Sequence, residues 1–410
     1  MEIHCRNSHN LWLLTILLIL SSCAEQQTTF DNSIEYMAFQ SRKDGKWGMI
    51  GVDGKVLFAD KFPDRPEAGR NGMFIYNNYN INKVNYCEIY RSDSVPQRIG
   101  RRYKDTSDTF IDGRAIVEDA NSHLYFFDRD GNKLMSLDSV NGEKVNLALM
   151  LSDGFTAVRT KSGVGMIDHD GNVIIKPYYD NIGYYDGIFV AEIDEFTRSG
   201  HRYTTHEDDE NPPQNNIFTT VLDKTGKVLF HTARGVTLST FNGGYAIASI
   251  YNDSCKKRPY ATGVIRTDGK WSMKPNTKIQ GYDYYNVING KFIFQENKKE
   301  GLMGIMDVHG HVILPAKYEM LQRASADRLY ELKSDGMGFV ARLMDLKGNY
   351  KGNMKLYGHS DFFKDYAFVA KGDNDWTLID KEGKEMTAHP KIYDIETLFL
   401  PPHVVIVENR

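Results

Sequence analysis

The chain has 410 residues, more than one compact core usually holds, so several domains or a repeat array are expected. Hydrophobic residues make up 41% and charged residues 25%, the balance of a folded protein, and Gly 35 with Tyr 24 and Phe 21 against Pro 12 favours strands and tight turns over long helices. The 50 Lys and Arg nearly cancel the 54 Asp and Glu, giving a formal charge of −4, and no basic run is long enough to follow a polyanion, which argues against a nucleic acid partner.

The first element is LWLLTILLIL, residues 11 to 20, preceded by Arg6 and followed by SSCAEQQ. Ten apolar residues reach about 15 Å as a helix, half the ~30 Å that a spanning segment must cross, so the run reads as the core of a signal peptide over 1–22. Leu20-Ser21-Ser22-Cys23 resembles the lipobox of bacterial lipoproteins, which implies acylation of the Cys23 thiol and a mature chain that begins there. Acyl chains contribute about 0.8 kcal/mol per buried CH₂, so a multiply acylated Cys23 would hold the protein on a membrane. Residues 23–33 are then the lipidated cysteine and a polar tether, and Ala24 in the second position leans towards the outer membrane, with the periplasmic or surface side open. Cys5 leaves with the signal peptide. Cys87 and Cys255 remain, too few for a disulfide framework, and can be paired or separate.

From residue 34 onwards one pattern recurs. Turns of the form D-x-x-G, or close variants, place a glycine at 54, 131, 171, 226, 269, 310, 348 and 383, and Ser94 takes the slot in the copy CEIYRSDSVP. Nine copies at an interval of about 40 residues make a repeat array over 34–410. Aspartate at the first position can accept from the backbone two residues on, and glycine at the fourth accepts a left-handed conformation, so each is expected to close a hairpin. DRDGN and DHDGN start like a calcium loop, but the glycine is fourth rather than sixth and no Glu stands twelfth.

Two adjacent apolar residues precede each turn, as in Met49-Ile50, Met166-Ile167 and Ile305-Met306. Neighbouring strand residues point to opposite faces, so these strands are expected to be buried on both. Gly48, Gly165, Gly263 and Gly304 stand just before such pairs, where another backbone or ring can come close, and Trp47 reads as a packing residue. A further strand leads each hairpin (GFTAV at 154–158, GYAIA at 244–248) and another follows the turn (NVIIKP at 172–177), for about three strands per unit and a fourth if YYDNI at 178–182 pairs. IEYMAFQ (34–40) and HVVIV (403–407) are extra strands at the two ends.

The pattern G-x-A-x-V, then K-W-G-M-I-x-x-D-G-K-V, then P-x-x-Y-D/E resembles the WG-containing β repeat of bacterial proteins, best at 46–58, 154–180 and 301–319. That resemblance implies neither one activity nor a catalytic set. Strands buried on both faces point to an all-β array of antiparallel repeats that is propeller-like, with an open β-solenoid of hairpins as the alternative.

Candidate chemistry is sparse. The interval between 171 and 226 holds an insertion, residues 195–216, where His201 and His206 stand near Glu207, Asp208, Asp209 and Glu210. Metal binding is one reading of that cluster; its polar, two-proline composition makes it a surface loop instead. G-x-S-x-G, H-E-x-x-H and phosphate-loop motifs are missing, and no cofactor is expected. Tyr184, Tyr185, Tyr282, Tyr284 and Tyr285 could stack on sugar rings or anchor a partner, or simply pack. The expected protein is therefore a non-catalytic, lipid-anchored cell-envelope scaffold that binds a protein through its repeat surface. A glycan-binding surface lipoprotein is the alternative, and an enzyme with an unrecognised site comes third.

Overall fold

The computed structural model describes residues 34–78, 86–107, 110–150, 152–200, 214–254, 259–281, 287–298, 301–336, 339–395 and 407–408. They form a propeller-like array of small antiparallel sheets. A complete unit, or blade, is the one at 147–179, whose strands Leu147–Met150, Phe155–Thr160, Gly163–Asp168 and Val173–Tyr179 pair in chain order. The sheets of 105–136, 181–231, 236–276 and 279–318 repeat this order, and those of 320–345 and 358–380 keep its first three strands. Residues 34–62 and 69–103 make two further blades, joined into one sheet where Ile34–Gln40 pairs Gly69–Arg70. Numbered along the chain, blades 1 to 9 thus begin at 34, 69, 105, 147, 181, 236, 279, 320 and 358. A small hairpin, Ser139–Val140 with Glu143–Lys144, lies between blades 3 and 4.

The fourth strand anticipated at YYDNI belongs to the next unit: Asn181–Tyr185 is the first strand of blade 5, paired with Ile188–Asp194. Blade 1 takes its first strand from the far end of the chain. Phe39 faces Ile395 and Gln40 faces Asp394, so Asp394–Ile395 completes the first sheet. Packing closes the same ring. Nine hydrophobic clusters each straddle two successive blades, from Phe58 and Phe62 against Phe74 and Tyr76 between blades 1 and 2 to Leu378 and Ile392 against Ile34 and Ile50 between blades 9 and 1. Residues alternate between them, as the two-sided burial requires: Ala157 and Met166 face blade 5, whereas Val158 and Ile167 face blade 3. Exposure grades outward, since the fourth strands alternate exposed with buried residues while the first three are mostly buried. First strands therefore border the centre of the ring and fourth strands its perimeter.

The turns have a common construction. Asp128 Oδ1 accepts from the Asp130 and Asn132 amides at 2.9 and 2.8 Å, and Oδ2 accepts from Asn132 Nδ2 at 3.0 Å. Asp168 with Asn172 and Asp345 with Asn349 repeat it. Each carboxylate is thus engaged by its own loop, with a glycine such as Gly131 at φ 87 closing the hairpin. Arginines lock neighbouring blades together through these turns: Arg114 donates to the His169 carbonyl, and Arg328 donates to the Lys381 carbonyl and the Glu382 carboxylate, both at 2.7 Å.

Gly165 explains the Trp-Gly element. Val164 faces Tyr179 while Met166 faces Ile175, so between these pairs the single residue Gly165 opposes three residues of the fourth strand, 176–178. The fourth strand bulges over the glycine through Lys176-Pro177, and a Cβ there would lie 2.6 Å from the Ile175 carbonyl and the Pro177 nitrogen. Gly48 and Gly304 meet the same bulge, with would-be contacts of 2.4 Å to Phe58 O and 2.5 Å to Leu314 O. Blade 2 has Glu88 in this slot, buried and bonded by Arg98, Arg102 and Tyr90. Trp47 is half-buried against the cluster of blades 1 and 2.

Three substitutions test this by their effect on stability. Gly165→Ala is expected to lower the free energy of urea unfolding by about 1–3 kcal/mol through overpacking. Gly372→Ala, whose Cβ meets nothing within 4 Å, is expected to change it by less than about 0.5 kcal/mol. Ile395→Asp, which puts a carboxylate into the buried contact between blades 9 and 1, is expected to cost roughly 3 kcal/mol or more; a loss no larger than that of an exposed-site control would mean that the ring does not close there.

Candidate functional site

Three features of the ring could carry function. The first is its perimeter. Two residues beyond the turn glycine, the chain sends a side chain outward, and in five blades this is an exposed apolar or aromatic residue: Val56, Val228, Trp271 and Val312 on fourth strands, and Tyr350 on an isolated bridge in blade 8. These positions repeat because the turn fixes where the outer strand begins, and in blades 1, 6 and 7 the residue two further on, Phe58, Met273 and Leu314, is the first one buried. Guanidinium groups cover part of the perimeter's aromatic surface: Arg342 lies 3.7 Å over the Tyr350 ring and Arg198 lies 4.4 Å over Tyr178.

The second is a cleft of about 390 Å³ between blades 2 and 3, lined by Gly100, Arg101, Tyr103, Asp119, Tyr125, Gly131 and Lys133. Its groups are engaged with one another. Arg101 donates to Asp119 at 3.1 Å and to the Tyr125 hydroxyl at 3.2 Å, and the Lys133 ammonium sits 4.7 Å above the Tyr125 ring. Desolvation works to raise the Asp119 carboxyl, yet the His123 and Asn121 amides and Arg101 hold it below its ordinary value. An ionised carboxylate already tied to two backbone amides and a guanidinium is a structural anchor.

The third is the centre of the ring, where the first strands end. Blades 8 and 9 place a polar group of unusual burial here. Arg323 is 0% exposed; its Nη2 donates to the Lys291 carbonyl at 3.1 Å, while Nε and Nη1 are buried without a hydrogen-bond partner among the described residues. Asp361 is 3% exposed and neither carboxyl oxygen has a partner among the described residues, and burial pushes it well above the usual carboxylate range. His359 stacks on Tyr330 with ring centres 4.0 Å apart, and the Tyr330 hydroxyl donates to the Ser360 carbonyl at 3.0 Å. Burial depresses the His359 imidazole to about 4. Ser107, Ser239 and Ser360 occupy one position in blades 3, 6 and 9, each accepting from a second-strand amide (Ile116, Ile247, Phe368) at 2.9 to 3.1 Å.

The first-strand edges complete this region. They are short, two to four residues, except in blade 5, where Asn181–Tyr185 has five. Val407–Glu408 adds to that edge as an antiparallel fifth strand, with Ile182 facing Val407 and Asn181 facing Glu408. Of the C-terminal strand anticipated at 403–407 only Val407 is described, and it pairs with blade 5, whereas Asp394–Ile395 pairs with blade 1 and closes the ring.

The tyrosines named from the sequence separate. Tyr184 is 2% exposed, edge-on to Phe155 and tilted against Phe189, with its hydroxyl 2.5 Å from Asp153, so its ring offers no face to a ligand. Tyr185 is half-buried at the end of the same strand. Tyr282, Tyr284 and Tyr285 lie outside the described residues, as do Cys23, Cys255 and the cluster from His201 to Glu210. Cys87 is buried, its Sγ 3.6 Å from the Tyr103 carbonyl and its thiol pushed up to about 12 by burial. Among the described residues, no group of three or more His, Cys, Asp or Glu side chains is placed to hold a metal, and no helix is long and apolar enough to cross a membrane. Sequence reading missed the burial of Arg323, His359 and Asp361, because each stands beside a polar neighbour (Gln322 or Ser360) in a segment that reads as a surface connection.

The pH dependence of stability reports on that group. The folded value of His359 lies below the ordinary 6.5, so the unfolded chain takes up the proton first and stability falls as pH drops from 6.5 towards 4. Asp361 acts in the opposite direction, favouring the folded state less as pH rises above 3.8. Between pH 7 and 4.5 the wild type is expected to lose about 2 kcal/mol more unfolding free energy than His359→Gln. Equal losses in urea titrations of the two proteins would show that the imidazole is not buried as described.

No protein family profile matches the chain, and no curated protein does. Among solved structures it is similar to "The crystal structure of BamB from Moraxella catarrhalis", at 13% identity and a TM-score of 0.35, covering 75% of this chain and 93% of that one. It is also similar to "Crystal structure of WD40 beta propeller domain of Doa1", at 10% identity and a TM-score of 0.29, covering 65% of this chain and 92% of that one. Strand pairing and the nine interblade clusters, rather than these distant likenesses, define the chain as a propeller-like β-repeat protein.

Proposed function

We propose that this is a lipid-anchored cell-envelope protein that works without catalysis, as a scaffold for a protein partner bound across several blades. The observation that carries the reading is the row of exposed apolar side chains at one repeat position, with Val56 41%, Val228 42% and Val312 55% exposed. Apolar groups repeated around a rigid perimeter give a broad docking surface, and protein interfaces draw on such surfaces. The membrane attachment rests on the lipobox at Cys23, and the outer-membrane placement rests on Ala24. A glycan ligand finds less support, since Tyr178 and Tyr350 already stack with Arg198 and Arg342. The repeat itself resembles the WG-containing family, which leaves the partner open.

The test is crosslinking in the native cells followed by mass spectrometry of what the protein captures. Val228→Glu with Val312→Glu is expected to leave folding stability within about 0.5 kcal/mol per site, as for other exposed positions, while partner recovery falls at least about tenfold. Cys23→Ala is expected to move the protein from the membrane to the soluble fraction. Unchanged recovery with the paired substitution would remove the perimeter from the interface, and recovery of the protein alone would sink the scaffold reading.

A further inference from the structure

The cleft between blades 2 and 3 exists because two glycines meet there. In blade 2, Cys87 faces Tyr103 and Ile89 faces Ile99, so Gly100, Arg101 and Arg102 bulge across Glu88. Neighbouring side chains of the bulge part. Arg102 turns to Glu88 at 2.8 Å, whereas Arg101 turns to blade 3 and reaches Asp119 at 3.1 Å. Gly100 has φ 64, and a Cβ there would strike the Tyr103 hydroxyl. Gly131, in the blade 3 turn, lies so close to the bulge that its Cβ would stand 3.1 Å from the Gly100 Cα. That approach brings Lys133, two residues past the turn glycine, to the same opening as Arg101.

Hydrogen bonding leaves the cleft with donors in excess. Asp119 is spent, since Oδ1 accepts from the Asn121 and His123 amides at 2.9 and 3.1 Å and Oδ2 accepts from Arg101. Arg101 uses Nη2 alone for Asp119 and Tyr125, so its Nε and Nη1 have no partner among the described residues, and its side chain is 64% exposed. The Tyr125 hydroxyl accepts from Arg101 and keeps its own proton to give. Lys133 rests over the Tyr125 ring with no carboxylate partner among the described residues. Two cations thus face one carboxylate, and the lining carries one net positive charge beside the buried Tyr103 and Tyr125, where low polarity strengthens the pull on an anion.

We infer that this cleft takes the carboxylate of an aspartate or glutamate side chain of the protein partner. The inference deepens the scaffold reading and rests on it. One net positive charge matches a monoanion, and Asp119 on the wall disfavours a doubly charged phosphate. Arg101 and Lys133 each supply a charge-assisted hydrogen bond and Tyr125 a neutral one, which the lone pairs of a carboxylate can all accept. The Tyr125 face is already taken by Lys133, so a sugar ring has nothing to stack on there. The cleft opens between an outer strand and a turn, at the perimeter that the apolar row assigns to the partner, and a charge pair at such a place fixes register.

Carbodiimide joins a carboxylate to an amine it touches and leaves no spacer, so Lys133 can report its own neighbour. The probe for the purified full chain is the blocked peptide acetyl-Gly-Glu-Gly-amide, with amide formation at Lys133 compared by mass spectrometry with that at the exposed Lys224. Lys133 is expected to react at least about fivefold faster than Lys224, and Arg101→Gln to remove most of that advantage. Tyr125→Phe, which takes away only the hydroxyl, is expected to lower it about two- to threefold. Unchanged hydrogen exchange at Asn121 and His123 shows that the Asp119 turn is intact in both variants. Equal rates at Lys133 and Lys224, an advantage that survives Arg101→Gln, or an amide from Lys133 to its own Asp119 as the sole product would overturn the site. On membranes from the native cells, the reagent is expected to join Lys133 to an Asp or Glu of another protein, and a link to a sugar acid or a small molecule alone would overturn the protein partner. If partner capture responds to Val228→Glu with Val312→Glu yet Lys133 joins neither probe nor partner, the cleft fails and the scaffold stands. If the probe reacts as expected but no protein is captured, the cleft binds carboxylates and the scaffold fails.

Discussion

Everything in this molecule depends on two-sided burial. A blade of three or four short strands has apolar residues on both faces, as Met166 and Ile167 show, and buries neither by itself. Each interface therefore completes two blades at once, and a row of such units has two unsatisfied ends. Here the ends satisfy each other. Ile34, Met37 and Phe39 of the first blade pack with Phe363, Phe368 and Leu378 of the last, and Asp394–Ile395 pairs with Ile34–Gln40. Closure takes the place of the polar capping repeats that an open array would need.

Close blade packing explains the residues that look decorative in the sequence. The glycine of Trp-Gly is there because the outer strand bulges across the third, leaving no room for a Cβ at Gly165 or Gly48. Where blade 2 departs from the pattern with Glu88, the carboxylate is satisfied by two arginines and a tyrosine, which makes the exception expensive in specialised partners. Aspartates at the turns serve their own backbone, and arginines from the preceding blade clasp those turns, so polar groups set the angular registration that apolar packing alone would leave loose.

The same geometry decides where the molecule can meet other molecules. Faces of the blades are used up in the ring, which leaves the perimeter and the central strand edges. Perimeter side chains are exposed on the outer strands and repeat with the turn. Central edges offer backbone rather than side chains, and that of blade 5 pairs with Val407–Glu408. The buried Arg323 and Asp361, each with unpartnered atoms, mark blades 8 and 9 as the least well satisfied part of the ring.

Much of the fold was written locally. Asp and Gly at fixed offsets, doubled apolar residues before each turn and the repeat near 40 residues specify hairpins buried on both faces, because turn chemistry and strand alternation are short-range properties. What the chain could not reveal by itself is which distant segments meet. Residues 394–395, a dipeptide with no signal of its own, close the ring, while the more strand-like 407–408 goes to blade 5. That choice is made by which edge is within reach after nine blades have stacked, and by burial of Ile395 between blades 9 and 1. The burial of Arg323, His359 and Asp361 was equally illegible, since a charged residue beside a polar neighbour reads as exposed until tertiary packing covers it.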